Sequence, residues 1–271
     1  MNDKIVKGFR ALKLIIKFPY LLNSVLEHED VYKKMVSNQF GLDDGLPLVH
    51  LETLFPDFQE TVSPYAYLSG ATMPIDIALL KAIARRQNVQ NYFEIGTWRG
   101  ESVANVASVV PNCVTLNLSR EEIVKLTDNE IYADAHAMFS KNLDNVTHIQ
   151  GNSQTFDFTP YKRQFDMVFI DGDHHSDAVK KDTQTAFELL RDNQSVIVWH
   201  DYGYDPETIR WSVLDAIWEA TPEEKRRHLY QVANTMCAIY IPENFSTEKL
   251  VPHTKPKHYY EVSLKSIPLN S

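Results

Sequence analysis

Phe165-Asp-Met-Val-Phe-Ile-Asp-Gly-Asp-His-His175 and Ser195-Val-Ile-Val-Trp-His-Asp-Tyr-Gly203 are short apolar runs that each end abruptly in carboxylates and imidazoles. The segment between them, 178–192, reads as a helix. A strand, helix, strand unit of this length builds two parallel neighbours with a right-handed crossover. Asp171 and Asp201 are then expected side by side at the carboxyl ends of adjacent strands. That edge is where open α/β sheets bind ligands.

Working outward, the alternation continues in both directions. Upstream, strands are expected at 91–95, 112–118 and 146–150, with helices at 74–86, 102–109 and within 131–143. Pro74 suits the first turn of its helix. Downstream, a helix is expected over 208–220, then paired strands at 228–233 and 236–242 turning at Asn234-Thr235. A last strand-like run covers 259–264. Helices alternating with short β-branched strands predict a doubly wound, mainly parallel α/β sheet of seven strands.

A chain of 271 residues has room for one such domain with an appendage. The expected division is a helical extension over 1–70, a core over 71–243 and a tail over 244–271. An apolar fraction of 44% and a charged fraction of 23% are ordinary for a globular protein. With 27 basic against 36 acidic residues the net charge is −9, which argues against general nucleic-acid binding. Cys113 and Cys237 each sit in an apolar run and read as buried thiols, neither a disulfide framework nor a thiolate metal site. A reducing, cytoplasmic setting is therefore expected. No apolar run approaches the roughly 20 residues that cross a bilayer.

The first strand leads into Glu94-Ile-Gly-Thr-Trp-Arg-Gly-Glu-Ser102. Gly96 and Gly100 frame a strand-to-helix turn where backbone can approach a ligand closely. The spacing is G-x-x-x-G. Trp98 stands where a dinucleotide fingerprint needs its second glycine, which argues against pyrophosphate. Asn117 ends the second strand, where ribose-binding sheets usually place an acid. Asn152 and Ser153 form a polar tip after the third. Asp171, Asp173 and Asp201 with His174, His175 and His200 make a concentrated set of oxygen and imidazole donors. Carboxylates suit magnesium or calcium, and mixed sets suit zinc, manganese or iron. Without a cation such carboxylates repel one another.

Together these blocks resemble class I S-adenosylmethionine-dependent methyltransferases. More narrowly, they are similar to the bacterial branch of sugar- and antibiotic-tailoring O-methyltransferases, related to the catechol type. The resemblance rests on Phe93–Ser102, Phe169–His174 and Val196–Gly203 and spans roughly 74–242. It implies a Rossmann-like methyltransferase fold and an S-adenosylmethionine site built from Glu94, Gly96, Thr97, Gly100, Ser102, Asn117, Asn152, Ser153 and Asp171. It also implies a divalent cation, magnesium among the candidates, at Asp171, His200 and Asp201. His200 departs from the pattern, since many members carry another acid there. Asn117 and Asn152 also replace acids common elsewhere in the class. The implied reaction is attack of a substrate hydroxyl on the methyl carbon, with Asp171 holding the hydroxyl and His174 or His175 taking the proton. A small molecule or saccharide is the expected acceptor. Segment 60–70, with Tyr65 and Tyr67, is expected to fold over the cofactor, and Tyr202, Tyr204 and Trp211 to line the acceptor pocket.

The amino terminus is a separate matter. Ile5, Phe9, Leu12 and Ile16 fall on one face of a helix over 1–18, with Lys4, Lys7, Arg10, Lys13 and Lys17 around much of the other. Pro19 ends it, and a second helical stretch is expected at 21–36. The first helix is expected to cap the chain's own core; contact with an anionic membrane or a partner subunit is the alternative. Homo-oligomerisation stays open. Two rival functions remain: a metal-dependent hydroxylase or hydrolase on the same scaffold, and a non-catalytic binding subunit recruited through residues 1–18.

Overall fold

The computed structural model describes residues 3–22, 25 and 28–269. Its helices are α1 (Asp3–Lys17), α2 (Glu29–Phe40), α3 (Leu51–Leu54), α4 (Pro74–Arg86), α5 (Glu101–Ala107), α6 (Arg120–Thr127), α7 (Glu130–Asp134), α8 (Ser176–Leu189) and α9 (Trp211–Ala220). One sheet contains β1 (Leu48–Val49), β2 (Asn91–Ile95), β3 (Asn112–Asn117), β4 (Val146–Gln150), β5 (Met167–Ile170) and β6 (Val196–Trp199). A small hairpin follows, β7 (Gly203–Asp205) with β8 (Thr208–Ile209), and then β9 (Leu229–Val232) and β10 (Ala238–Tyr240) complete the sheet. Strand order is β1-β9-β10-β6-β5-β2-β3-β4.

Strands β2 to β6 run parallel, as expected. The last hairpin is antiparallel, with β10 paired to both β6 and β9. Chain order reverses across β2 and β5, so the crevice of the sheet opens at their carboxyl ends. Side chains alternate to two faces. Phe93, Val168, Ile170, Ile197 and Trp199 enter one core under α2, α8 and α9. Tyr92, Met167, Phe169, Val196 and Val198 enter the other, under α4 and α5. Helices on both faces explain why β5 and β6 are apolar throughout rather than alternating.

Several expectations are corrected. The sheet has eight strands, not seven; β1 pairs parallel with β9. Two residues are too few to show a period. The helix expected from 208 begins at Trp211, because 208–209 pair in β8. Its open end is capped from a distance: the Glu29 carboxylate accepts from the Ser212 amide at 3.2 Å and the Ser212 hydroxyl at 2.7 Å. The helix expected within 131–143 is the short α7, and α6 was not anticipated, although Ser119 and Glu122 form a reciprocal capping box. Helix α2 starts at Glu29; positions 23, 24, 26 and 27 of the expected 21–36 stretch lie outside the described residues. Residues 259–264 form no strand, though Phe245, Leu250 and Tyr260 of the tail pack against the two cores. Helix α1 does not cap the core, for none of its residues is buried.

Candidate functional site

The turn after β2 explains its glycines. Gly96 has φ +97°, and a Cβ there would lie 2.0 Å from the Asp171 carbonyl oxygen. Only glycine lets this turn cross the tip of β5. Gly100 has φ +79°, and its Cβ would meet the Ser140 hydroxyl at 2.2 Å. Trp98, between them, adopts φ +44° and stacks on Tyr132 at 4.2 Å, with the Arg99 guanidinium 4.9 Å from its ring.

Below the turn, Glu94 is fully buried and accepts from the Tyr92 hydroxyl at 2.6 Å and the Ser102 hydroxyl at 3.0 Å. Burial, reinforced by the charge of Asp171 and opposed by those hydrogen bonds, pushes its carboxyl up to about 8. Thr97 is buried with its hydroxyl 2.6 Å from that of Thr115.

The 60–72 segment lies across this turn as a strap. The Ser63 amide donates to Asn105 at 2.7 Å and the Ala66 amide to Glu101 at 2.7 Å. Arg99 donates to the carbonyls of Leu68 and Ser69. Thr72 ends the strap with its hydroxyl 2.8 Å from Asp171 Oδ2. Sequence reading singled out none of Arg99, Glu101, Asn105 and Thr72. The available signal was Arg99, Glu101 and Asn105, three polar side chains around the start of α5, all of them buried.

The acid and imidazole cluster forms where β2, β5 and β6 end together. The Asp171 amide donates to Ile95 O at 2.8 Å and the His200 amide to Ile170 O at 2.9 Å. Asp201 follows at φ +55°, a left-handed conformation rare for a non-glycine residue. His200 Nε2 lies 3.1 Å from Asp76 Oδ2, and Asp76 Oδ1 accepts the Met236 amide at 3.1 Å. Asp76 is fully buried on α4 and orients the imidazole from behind. Sequence reading missed it: a lone carboxylate in an apolar helix was its only trace.

His200 Nδ1 then faces two carboxylates, Asp171 Oδ1 at 3.0 Å and Asp201 Oδ2 at 3.3 Å, off the line of a good hydrogen bond to either. Burial alone would lower the pKa of this imidazole, but Asp171, Asp201 and Asp76 hold it well above its ordinary value. The same contact, with Arg210 and His174, overcomes burial and keeps Asp201 below the usual carboxylate range. Ligand atoms of Asp171, His200 and Asp201 lie within 4.8 Å of one another. With Nε2–H committed to Asp76, the Nδ1 lone pair and two anionic oxygens converge as a donor set that fits a divalent cation; a proton on Nδ1 satisfies them otherwise.

His174 sits at the mouth, Nδ1 3.7 Å from Asp201 Oδ2 and more than half exposed. His175 lies further out as the cap of α8, with its amide and ring both turned to Asp173. Arg210 Nη1 is 3.5 Å from Asp201 Oδ1 and its guanidinium is 4.3 Å from the Tyr204 ring. Its Nε and Nη1 are buried with no hydrogen-bond partner. Two of the three aromatics expected to line the acceptor pocket belong to the core instead. The Tyr202 hydroxyl is taken by the Leu46 amide at 2.9 Å, and Trp211, the first residue of α9, is buried in the core.

The other end of the sheet edge is looser. Asn117 is half-buried and its carbonyl accepts the Gly151 amide at 2.8 Å. Exposed Asn152 accepts the Gln154 amide at 2.9 Å, and Ser153 accepts from the Gln154 side chain at 3.1 Å. Gln154 also reaches Asp182 at 3.0 Å, a buried carboxyl that burial pushes up to about 6. These groups share the carboxyl edge with Gly96 but sit at the tips of β3 and β4.

Residues 93–202 match the family model described as a methyltransferase domain. Among solved structures, the chain is similar to an O-methyltransferase from Bacillus cereus in complex with SAH, at 19% identity and TM-score 0.44 over 77% of this chain and 95% of that one. It is also similar to the O-methyltransferase TomG from Streptomyces achromogenes in complex with SAM, at 20% identity and TM-score 0.42 over 64% and 82%. A third is the SAH-bound Podospora anserina methyltransferase PaMTH1, at 16% identity and TM-score 0.46 over 80% and 97%. No curated protein matches the sequence.

Proposed function

We propose, from the match of residues 93–202 to a methyltransferase domain, that the protein uses S-adenosylmethionine to methylate a hydroxyl of a small molecule or saccharide with help from a divalent cation. The observation that carries this reading is the convergence of Asp171, His200 and Asp201 beside the Gly96 turn. S-adenosylmethionine would supply the activated methyl, and a cation held by Asp171, His200 and Asp201 would lower the pKa of an acceptor hydroxyl beside it.

The chain's own residues do the rest. Gly96 lets the turn cross the tip of β5 beside the methionine end of the cofactor, and Glu94, largely neutral at pH 7, props the turn from beneath rather than facing a cation. Asn117, Asn152 and Ser153 meet the ribose and adenine. Asp171, held by Thr72, orients the acceptor oxygen for in-line attack. Transfer would form the new C–O bond as the C–S bond breaks with its electron pair left on sulfur. The hydroxyl proton passes to His174 Nε2, since Nδ1 faces Asp201. Arg210 holds Asp201 in place from the far side. Strap 60–72 excludes water from the turn. A hydroxylase or hydrolase reading of the same acids has no comparable support from the matched domain. Two buried free thiols, Cys113 and Cys237, fit a reducing compartment.

Calorimetric titration of S-adenosylhomocysteine, with magnesium and with a chelator, tests the reading. Binding is expected in both, with one further magnesium site per chain. A chain that ignores S-adenosylhomocysteine overturns methyl transfer, and one that ignores every divalent cation tried overturns the metal.

A further inference from the structure

Helix α1 presents an amphipathic surface whose apolar arc is left unburied among the described residues. None of its residues is buried, and Ile5, Phe9, Leu12 and Ile16 are exposed by 50, 64, 54 and 72%. At about 100° per residue these four fall within an arc of roughly 60°. Lys4 and Lys13 flank that arc on either side, with Lys7, Arg10 and Lys17 around the back. Phe18 and Tyr20 extend the apolar surface past the helix, their rings 6.0 Å apart and the Phe18 ring 5.2 Å from Lys17 Nζ. No helix among the described residues is long and apolar enough to cross a membrane.

We propose that α1 is an in-plane anchor for an anionic lipid surface. It carries five basic residues against one acid, Asp3, while the rest of the chain holds 22 basic against 35 acidic. The body is therefore repelled by anionic headgroups and the helix is attracted, so α1 fixes both attachment and orientation. Its apolar arc enters the acyl boundary while the flanking lysines reach the headgroups. Phe18 and Tyr20 sit at the level where aromatic rings collect. Pairing with α1 of a second copy would bury the same arc, but it would bring Lys4 and Lys13 against identical lysines. The inference stands apart from the methyl-transfer reading.

The test is flotation of the full chain with phosphatidylcholine vesicles and with vesicles of three parts phosphatidylcholine to one part phosphatidylglycerol. Partitioning is expected to be about tenfold or more stronger on the anionic vesicles and to weaken with salt. Phe9→Asp with Ile16→Asp should abolish it, and Lys7→Glu with Lys13→Glu should bring it down to the neutral-vesicle level. Unchanged S-adenosylhomocysteine affinity or melting temperature shows that these variants fold. Equal partitioning on both vesicles, or partitioning that survives both variants, overturns the proposal. So does failure to float combined with a concentration-dependent dimer that Phe9→Asp with Ile16→Asp dissolves, the sign of a second copy on that face.

Discussion

The two ends of the sheet's carboxyl edge are built differently. At β5 and β6, Asp171, His200 and Asp201 are held by Thr72, Asp76 and Arg210, each from a different element, and the imidazole is buried. At β3 and β4, Asn117, Asn152 and Ser153 bond mainly to their own neighbours and stay partly or wholly open. A pocket that must stabilise charge during reaction needs fixed donors before substrate arrives. A pocket that only has to recognise a ribose and a base can exchange local hydrogen bonds for ligand ones. Under the proposed function, the first region would carry the chemistry and the second the affinity.

The largest effect should come from the chemical end. Asp171→Ala is expected to lower kcat about 1,000-fold, while S-adenosylhomocysteine affinity stays within about threefold by calorimetry. Full turnover in that variant breaks the contrast. Next is the support behind it. Asp76→Ala leaves His200 with an unpaired buried nitrogen, which should destabilise the fold by about 3 kcal/mol in chemical denaturation and weaken divalent-cation binding about 10- to 100-fold. Cation affinity unchanged in Asp76→Ala would mean that His200 is not a ligand. At the recognition end, Asn152→Ala should weaken S-adenosylhomocysteine about fivefold, the worth of one hydrogen bond near 1 kcal/mol, with kcat at saturation preserved. A kcat loss there would merge the two regions.

The last predictions are pH dependences. The His200 pKa is raised, so a cation must displace the Nδ1 proton, and cation affinity should climb with pH. Glu94 is also raised, from 4.5 to about 8. The folded state keeps a proton there that the unfolded chain gives up, so this group's contribution is complete below about pH 4.5 and is lost as pH rises through about 8. Glu94→Gln should flatten that fall, giving a melting temperature that gains on the parent chain with each step toward alkaline pH. Parallel melting curves would show that Glu94 is ionised in the fold.

How much of this was legible follows from range. The parallel strands could be read because β-branched runs alternate with helical periods, and the cluster because β5 and β6 end in acids within one strand, helix, strand unit. Asp76 could not be, since its hydrogen bond to His200 joins positions 124 apart. Segment 60–70 was expected over the cofactor, but Arg99, Glu101, Asn105 and Thr72, which fix the strap to the turn, were not singled out. Tyr202 shows the reverse failure: beside the acids in sequence, it points into the core because the Leu46 amide needs its hydroxyl. Helix α6 was an oversight of a local signal, the Ser119 and Glu122 capping box. Periodicity made α1 amphipathic, yet a period does not say what covers an apolar face.

Manganese paramagnetic resonance on the full chain with S-adenosylhomocysteine tests the central claim most directly. One Mn2+ per chain, with hyperfine coupling to an imidazole nitrogen that disappears in His200→Ala, is the predicted result. A chain that leaves Mn2+ free, or a nitrogen coupling that persists in His200→Ala, would contradict it.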